Sequence, residues 1–304
     1  MKPVFEFSDV RNAFGNTAER YASAAVLLKD AGDELHERLL CLYPADSQST
    51  KKTARKTTIV DAACAIGNSS RRLGASYTNA QVISIDSSPE MLRHLSSLKQ
   101  SSSIRPVGGN IAQLPLADDS VNIIFCHLGL SWCGESLTDV LQEFQRVLKR
   151  DGLFVFTVLG PNTFNELRHA WVSLQWPSLK TPLIELHDIG NLLLHGGWRE
   201  PVLDRSQFQV TYQKSEDLFR DLDDLGWFSL MSEVKLPEIG AEKRRQFDNA
   251  YRQHCSQDDL LTASFEMIFG CTWGVPASDD ATDNQANHET RIDVNALRRK
   301  IRAQ

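Results

Sequence analysis

Apolar residues recur at helical spacing along the first part of the chain. Ala13, Ala18, Tyr21, Ala25, Leu28, Leu35 and Leu39 form a stripe between Val10 and Leu42, which predicts helix with a break near Gly32. A polar, basic connector runs from Pro44 to Thr57, and beyond it the pattern changes. Short β-branched and aromatic runs now alternate with amphipathic ones. "TTIVDAA", "AQVISID", "VNIIFCHL" (Val121 to Leu128) and "GLFVFTVL" (Gly152 to Leu159) read as strands. Between them "SSRRLGA" begins a helix, and Ser136 to Lys149 form an amphipathic helix stopped by "RDG". "SPEMLRHLSSL" is a further helix, with Ser88 as N-cap, Pro89 at the first position and Glu90 in the first turn.

Short apolar strands separated by helices indicate a parallel sheet covered on both faces. The prediction is therefore an α/β fold. Residues about 160–200 read as a helical insertion, with "ELHDIGNLLLHGGW" its clearest piece. "SQFQVTY" (Ser206 to Tyr212) and "ASFEMIFGCTWG" (Ala263 to Gly274) are strand candidates, separated by helical sequence at about 215–255. Their short, turn-like approaches predict an antiparallel edge. The expected organisation is a helical segment over residues 1–45, one main domain over 57–275 and a polar tail over 276–304. In the tail "SDDATDNQANHET" lacks apolar anchors and is expected to be disordered, and "NALRRKIRAQ" reads as a short solvated helix.

Composition narrows the function classes a little. A chain of 304 residues can bury one large core or two modest ones. A formal charge of −6 argues against a general nucleic-acid binder. The six cysteines form no C-x-x-C pair, and Cys64, Cys126 and Cys271 lie in apolar runs. They read as reduced core residues, so neither disulfides nor a metal site is expected. "MKPVFEFSDVRNAF" has no apolar signal core and no run reaches membrane-spanning length, so a soluble cytoplasmic protein is expected.

In an open parallel sheet, ligands sit beyond the carboxyl ends of the strands, near the switch in strand order. Three strand ends carry suitable residues. Asp61 closes the first strand, and a small-residue loop follows it. Where a nucleotide-binding turn would carry glycines, Ala63 and Ala65 stand, and Gly67 remains. Asp86 closes "VISID", where a carboxylate can accept both hydroxyls of a ribose. In "GGNIAQLPL", Asn110 can bond an adenine amino edge while Ile111 packs on the ring. Singly, Asp61 could cap a turn and Asp86 could be a helix-entry acid. Their order within one alternating segment points to a nucleoside ligand. The G-x-G-x-x-G pyrophosphate cradle is absent, which suits a ligand without phosphates, such as S-adenosylmethionine.

The ordered stretches "VDAACAIG", "VISIDSSPEML", "GNIAQLPL", "VNIIFCHLGLSWCG" and "LQEFQRVLKRDGLFVFTVL" resemble class I S-adenosylmethionine-dependent methyltransferases. The flanks "AFGNTAERY", "LSWCGE", "GPNTFNELRHAW", "HDIGNLLLHGGWREPVLD" and "LTASFEMIFGCTWG" are similar to the malonyl-acyl carrier protein O-methyltransferases of biotin synthesis, over roughly residues 10–275. The resemblance implies a Rossmann-like, seven-stranded sheet with its last strand pair antiparallel, helices on both faces, and the N-terminal helices over the active site. It implies S-adenosylmethionine as methyl donor. The implied acceptor is the free carboxyl of a malonyl thioester on acyl carrier protein, or malonyl-CoA. Asp61, Ala63, Ala65, Gly67, Asp86, Met91, Asn110 and Ile111 fall on the family's cofactor-lining positions. The family more often has Asp at Asn110, Pro at Ile66, and Gly at Ala63 and Ala65. Where such a glycine uses φ > 0, an alanine costs on the order of 1 kcal/mol; where it only permits close approach, the methyl group intrudes on the methionine moiety.

Methylating a carboxylate needs no general base, so alignment and exclusion of water carry the catalysis. Tyr21, His127 and Trp132 are candidate walls around the methyl group, or else core residues. Arg168 in "NELRHAW" is the candidate cation for the acceptor carboxylate, or an exposed helix arginine. "EKRRQF" (Glu242 to Phe247) is a candidate docking patch for an acidic carrier protein, or a solvated helix face. Two other functions stay open: a non-catalytic binding or assembly protein on the same fold, and a methyltransferase with another acceptor.

Overall fold

Ile59, Val60 and Ala62 have no exposed surface, because the strand that carries them lies at the middle of a sheet covered on both sides. The computed structural model describes residues 5–45, 57–97, 103–235, 238–254 and 260–274. The strands are β1 (Thr58–Ala62), β2 (Gln81–Asp86), β3 (Ile104–Gly108), β4 (Val121–His127), β5 (Leu148–Leu159), β6 (Arg199–Tyr212) and β7 (Leu261–Trp273). The helices are α1 (Phe7–Thr17), α2 (Tyr21–Ala24), α3 (Val26–Leu42), α4 (Asn68–Ser76), α5 (Pro89–Ser97), α6 (Leu137–Val147), α7 (Asn165–Ser173), α8 (Leu186–His195), α9 (Ser215–Asp224), α10 (Trp227–Met231) and α11 (Ala241–Arg252).

The strands form one sheet in the order β3-β2-β1-β4-β5-β7-β6. β1 to β5 are parallel, and β7 runs antiparallel to both β5 and β6. Alternate residues of the central strands feed two separate cores. Ile59, Val82, Ile123, Phe125 and Val155 pack on the side of α3, α9 and α11. Val60, Ile85, Ile124, Cys126 and Phe154 pack on the side of α6 and α8. Burial of both faces explains why these strands read as continuous apolar runs. The chain leaves β1 for β2 and β3 on one side and returns to β4 on the other. That reversal opens a crevice at the carboxyl ends of β1 and β4.

The local signals at α5 are realised: Ser88 Oγ accepts the Met91 N–H at 3.3 Å, and Pro89 is the first helical residue. Elsewhere the boundaries moved. The break expected near Gly32 is absent, since α3 runs straight through it; the chain bends instead between α1 and α3. Gly32 serves close packing, because a Cβ there would lie 3.3 Å from His127 Cδ2. β6 begins at Arg199, well before "SQFQVTY". As the sheet's edge strand it buries neither face fully, so its first half carries no apolar signal. Residues 46–56 of the connector, the "SDDATDNQANHET" stretch and the terminal "NALRRKIRAQ" lie outside the described residues. Among the described residues no helix is long and apolar enough to cross a membrane.

Candidate active site

Beyond β1 the chain passes through three alternating left-handed residues: Ala63 (φ 59°), Ala65 (φ 47°) and Gly67 (φ 78°). The small-residue loop thus keeps the backbone path that glycines favour, at a cost of roughly 1–2 kcal/mol for each alanine. Hydrogen bonds hold the path. The Cys64 N–H donates to Ile85 O at 3.0 Å, and the Gly67 N–H to Cys64 O at 2.8 Å. The Ala65 N–H donates to Asp86 Oδ2 at 2.9 Å. At Gly67 glycine is required twice over, by φ and because a Cβ would fall 2.2 Å from Leu95 Cδ1.

Asp86 Oδ1 accepts a second backbone bond, from the Ser88 N–H at 2.8 Å. Burial raises its pKa, and the N–H groups of Ser88 and Ala65 oppose that rise. Each carboxylate oxygen has spare lone pairs beyond these bonds, so the group is fixed in direction and still able to accept two hydroxyls. Asp61 is buried beneath the loop, where Ser70 Oγ donates to it at 2.5 Å and lies 2.7 Å from Ser84 Oγ. Burial pushes the Asp61 carboxyl up to about 7. Asn110 closes a turn after β3: its Oδ1 accepts the Ala112 N–H at 2.9 Å and has a second lone pair to offer.

Asp86, Asn110 and the loop's two alanines meet in one cleft. Ala63, Ala65, Asp86, Asn110 and Ile111 line it together with α1, Trp132 and Trp227, and Phe14 of α1 packs in one cluster with Ala65. A second lobe shares Tyr21, Ala63, Ala65 and His127 with the cleft and reaches Asp61 and Arg71. Trp132 stands among Phe5, Phe14 and Trp227, with ring centroids 5.3, 5.4 and 5.5 Å away. Tyr21 is 6.2 Å from Phe14, and burial raises its pKa, so the hydroxyl stays protonated. His127 has both ring nitrogens engaged, Nε2 with Leu28 O and Nδ1 with Thr157 Oγ1, each at 2.7 Å. Burial lowers its pKa to about 4. It is a neutral wall of the cleft.

The chain is 31% identical to the malonyl-acyl carrier protein O-methyltransferase of Halorhodospira halophila over 298 residues, 96% of each chain. It is 30% identical to that of Xylella fastidiosa, covering 98% of this chain and 97% of the relative. The chain belongs to the malonyl-acyl carrier protein O-methyltransferase family. A family model described as a methyltransferase domain matches residues 60–156. Among solved structures, the magnesium protoporphyrin IX methyltransferase of Synechocystis, with bound S-adenosylhomocysteine, aligns with a TM-score of 0.54 at 12% identity. The alignment covers 88% of this chain and 100% of that one. The YcgJ protein of Bacillus subtilis aligns with a TM-score of 0.53 at 16% identity, over 79% of this chain and 99% of its own. Both show likeness of fold.

S-adenosylmethionine is the methyl donor of this malonyl-acyl carrier protein O-methyltransferase family member, and the residues at the strand ends fit it. Asp86 is fixed by two backbone donors, the 63–67 loop keeps its left-handed turns, and no phosphate cradle is needed. Two residues expected at the cofactor do not line the cleft. Gly67 shapes the loop, and Met91, fully buried, packs against Ala18 and Ile66 without lining the cleft. Arg168 lies outside the cleft: its guanidinium donates to Pro161 O at 2.7 Å and Asn165 Oδ1 at 2.5 Å, within its own loop and helix.

Several lining residues escaped the sequence reading. Phe7, Val10, Arg11 and Phe14 follow the i, i+3, i+4, i+7 rule and face the cleft from α1. The predicted stripe begins instead at Ala13, which is buried in the core behind this face. Trp227 is placed by a distant contact. It follows Gly226 (φ 77°), whose Cβ would lie 3.0 Å from Ala13 O, so α10 packs tightly on α1.

Proposed function

We propose that the protein transfers the methyl group of S-adenosylmethionine to the free carboxyl of a malonyl thioester on acyl carrier protein. The ester hides a charge, which suits a product consumed by the chain-extending chemistry of biotin synthesis. The observation that carries the proposal is a cleft that brings Asp86 and Asn110 together with an aromatic wall, and whose histidine, His127, is bonded at both ring nitrogens. Similarity to the curated relatives over nearly the whole chain selects the acceptor.

When bound, S-adenosylmethionine supplies an electrophilic methyl group on a sulfonium, displaced with the bonding pair staying on sulfur. Asp86 and Asn110 hold the adenosine by its ribose and its amino edge. We place the transferred methyl group among Tyr21, Ala63, Ala65 and His127, which border both lobes. Trp132, Phe14 and Trp227 keep water from that point. A malonyl carboxylate is ionised at neutral pH, so the protein needs to orient it and not to deprotonate it. His127, neutral and bonded at both nitrogens, is consistent with that division of labour. We place the reaction in the cytoplasm, with an acyl carrier protein as partner. Arg244 pairs with Glu216, and Arg245 with Glu242, so the "EKRRQF" helix offers a carrier protein less free charge than its sequence suggests.

The test is incubation of purified protein with malonyl-acyl carrier protein and S-adenosylmethionine, followed by mass spectrometry of the acyl group. The expected product carries one added methyl ester, and Asp86→Ala abolishes its formation. No ester, under conditions where an active family member produces it, rejects the proposal.

A further inference from the structure

Gly129 begins the turn after β4 and lines the cleft beside Ala63. Its backbone is outside the left-handed region, so conformation does not call for glycine here. Space does. A Cβ on Gly129 would lie 2.6 Å from the Cβ of Ala63, 2.9 Å from Cys126 Sγ and 3.5 Å from Ala62 O. The thiol of Cys126 can swing away about its χ1. The methyl group of Ala63 cannot, because its position is set by a left-handed backbone two residues before the Ala65 N–H that holds Asp86.

We infer that Ala63 and Gly129 are a matched pair: the methyl group that Ala63 adds to the cofactor loop occupies volume that Gly129 leaves empty. Gly129 is thus a positioning residue for S-adenosylmethionine. It touches the loop, and through Ala63 and Ala65 it controls the direction of the Asp86 carboxylate. A side chain at position 129 would drive the loop off β4 and turn that carboxylate. The two residues follow directly on the neighbouring parallel strands β1 and β4 at the switch point, so their spacing also sets the width of the cleft floor. The inference rests on the cofactor reading, and the test separates the two.

The test is titration calorimetry with S-adenosylhomocysteine on the wild type, on Gly129→Ala, and on Gly129→Ala combined with either Ala63→Gly or Cys126→Ala. Gly129→Ala is expected to weaken binding by about tenfold or more, as overpacking of a rigid site does. Adding Ala63→Gly is expected to recover most of the loss; adding Cys126→Ala is not. In ligand-free thermal unfolding, Ala63→Gly should raise Tm more in the Gly129→Ala background than in the wild type, and that excess reads the steric coupling apart from the strain relieved at Ala63. Wild-type affinity in Gly129→Ala would overturn the inference, and so would rescue by Cys126→Ala in place of Ala63→Gly. Absence of binding by the wild type would reject the cofactor reading itself.

Discussion

The Nε2–H of His127 donates to the carbonyl oxygen of Leu28 at 2.7 Å, fastening the end of β4 to α3. A carbonyl can only accept, so the ring carries its proton on Nε2, and Nδ1 accepts from the Thr157 hydroxyl at 2.7 Å. Burial holds this ring near pKa 4, and His36 likewise. Both values lie below the unfolded value of about 6.5, so between pH 6.5 and 4 the unfolded chain binds more protons. The stability these rings contribute is complete above pH 6.5 and falls as the pH drops toward 4. Urea unfolding of wild type and His127→Gln at pH 7 and pH 5 checks this: the variant should lose less on acidification. Equal losses would mean that the ring is not buried neutral.

Asp61 gives the opposite sign. Its folded pKa of about 7 lies above the unfolded value, so ionisation opposes folding increasingly from about pH 4 up to 7 and fully above that. Without cofactor, Asp61→Asn should gain stability relative to wild type at pH 8, and the gain should shrink steadily toward pH 4. Chemical denaturation at three pH values measures it. A difference independent of pH would show that the carboxylate is ionised throughout.

Ala65 holds φ 47° while its N–H is bonded to Asp86. Glycine relieves about 1–2 kcal/mol of local strain and returns about 0.4–1 kcal/mol through the looser unfolded chain. Ala65→Gly should therefore raise Tm by roughly 1–3 °C. Ala65→Val, β-branched at positive φ, should lower it by several degrees. Scanning calorimetry decides, and a fall in Tm with glycine would contradict the strain argument.

Among the described residues Arg11 is the one arginine or lysine lining the main lobe of the cleft, and its charge acts on Glu90. Arg168 is bonded within its own loop and helix. If the acceptor is a malonyl thioester, Arg11→Gln should raise its KM by about tenfold, the scale of a charge-assisted hydrogen bond. Arg168→Gln should change KM less, and neither should alter S-adenosylhomocysteine affinity. Steady-state kinetics with both variants would expose the reverse order.

Local pattern determined a good deal of this protein. The β1, β2, β4 and β5 runs, the Ser88 cap and the carboxylates at two strand ends are properties of short segments, and two-sided burial writes those runs plainly into the sequence. Asp61, Asp86 and Asn110 could be named because a strand's end is visible where its apolar run stops. Tertiary structure decided the rest. Whether Ala63 and Ala65 take φ > 0 depends on hydrogen bonds to Ile85 and Asp86, and whether a methyl group fits there depends on Gly129. The cleft face of α1, the placing of Trp227 and the inward bonding of Arg168 depend likewise on contacts between distant segments. The first half of edge strand β6 carries no signal for a related reason, since a strand that is at most half-buried has little need of an apolar pattern.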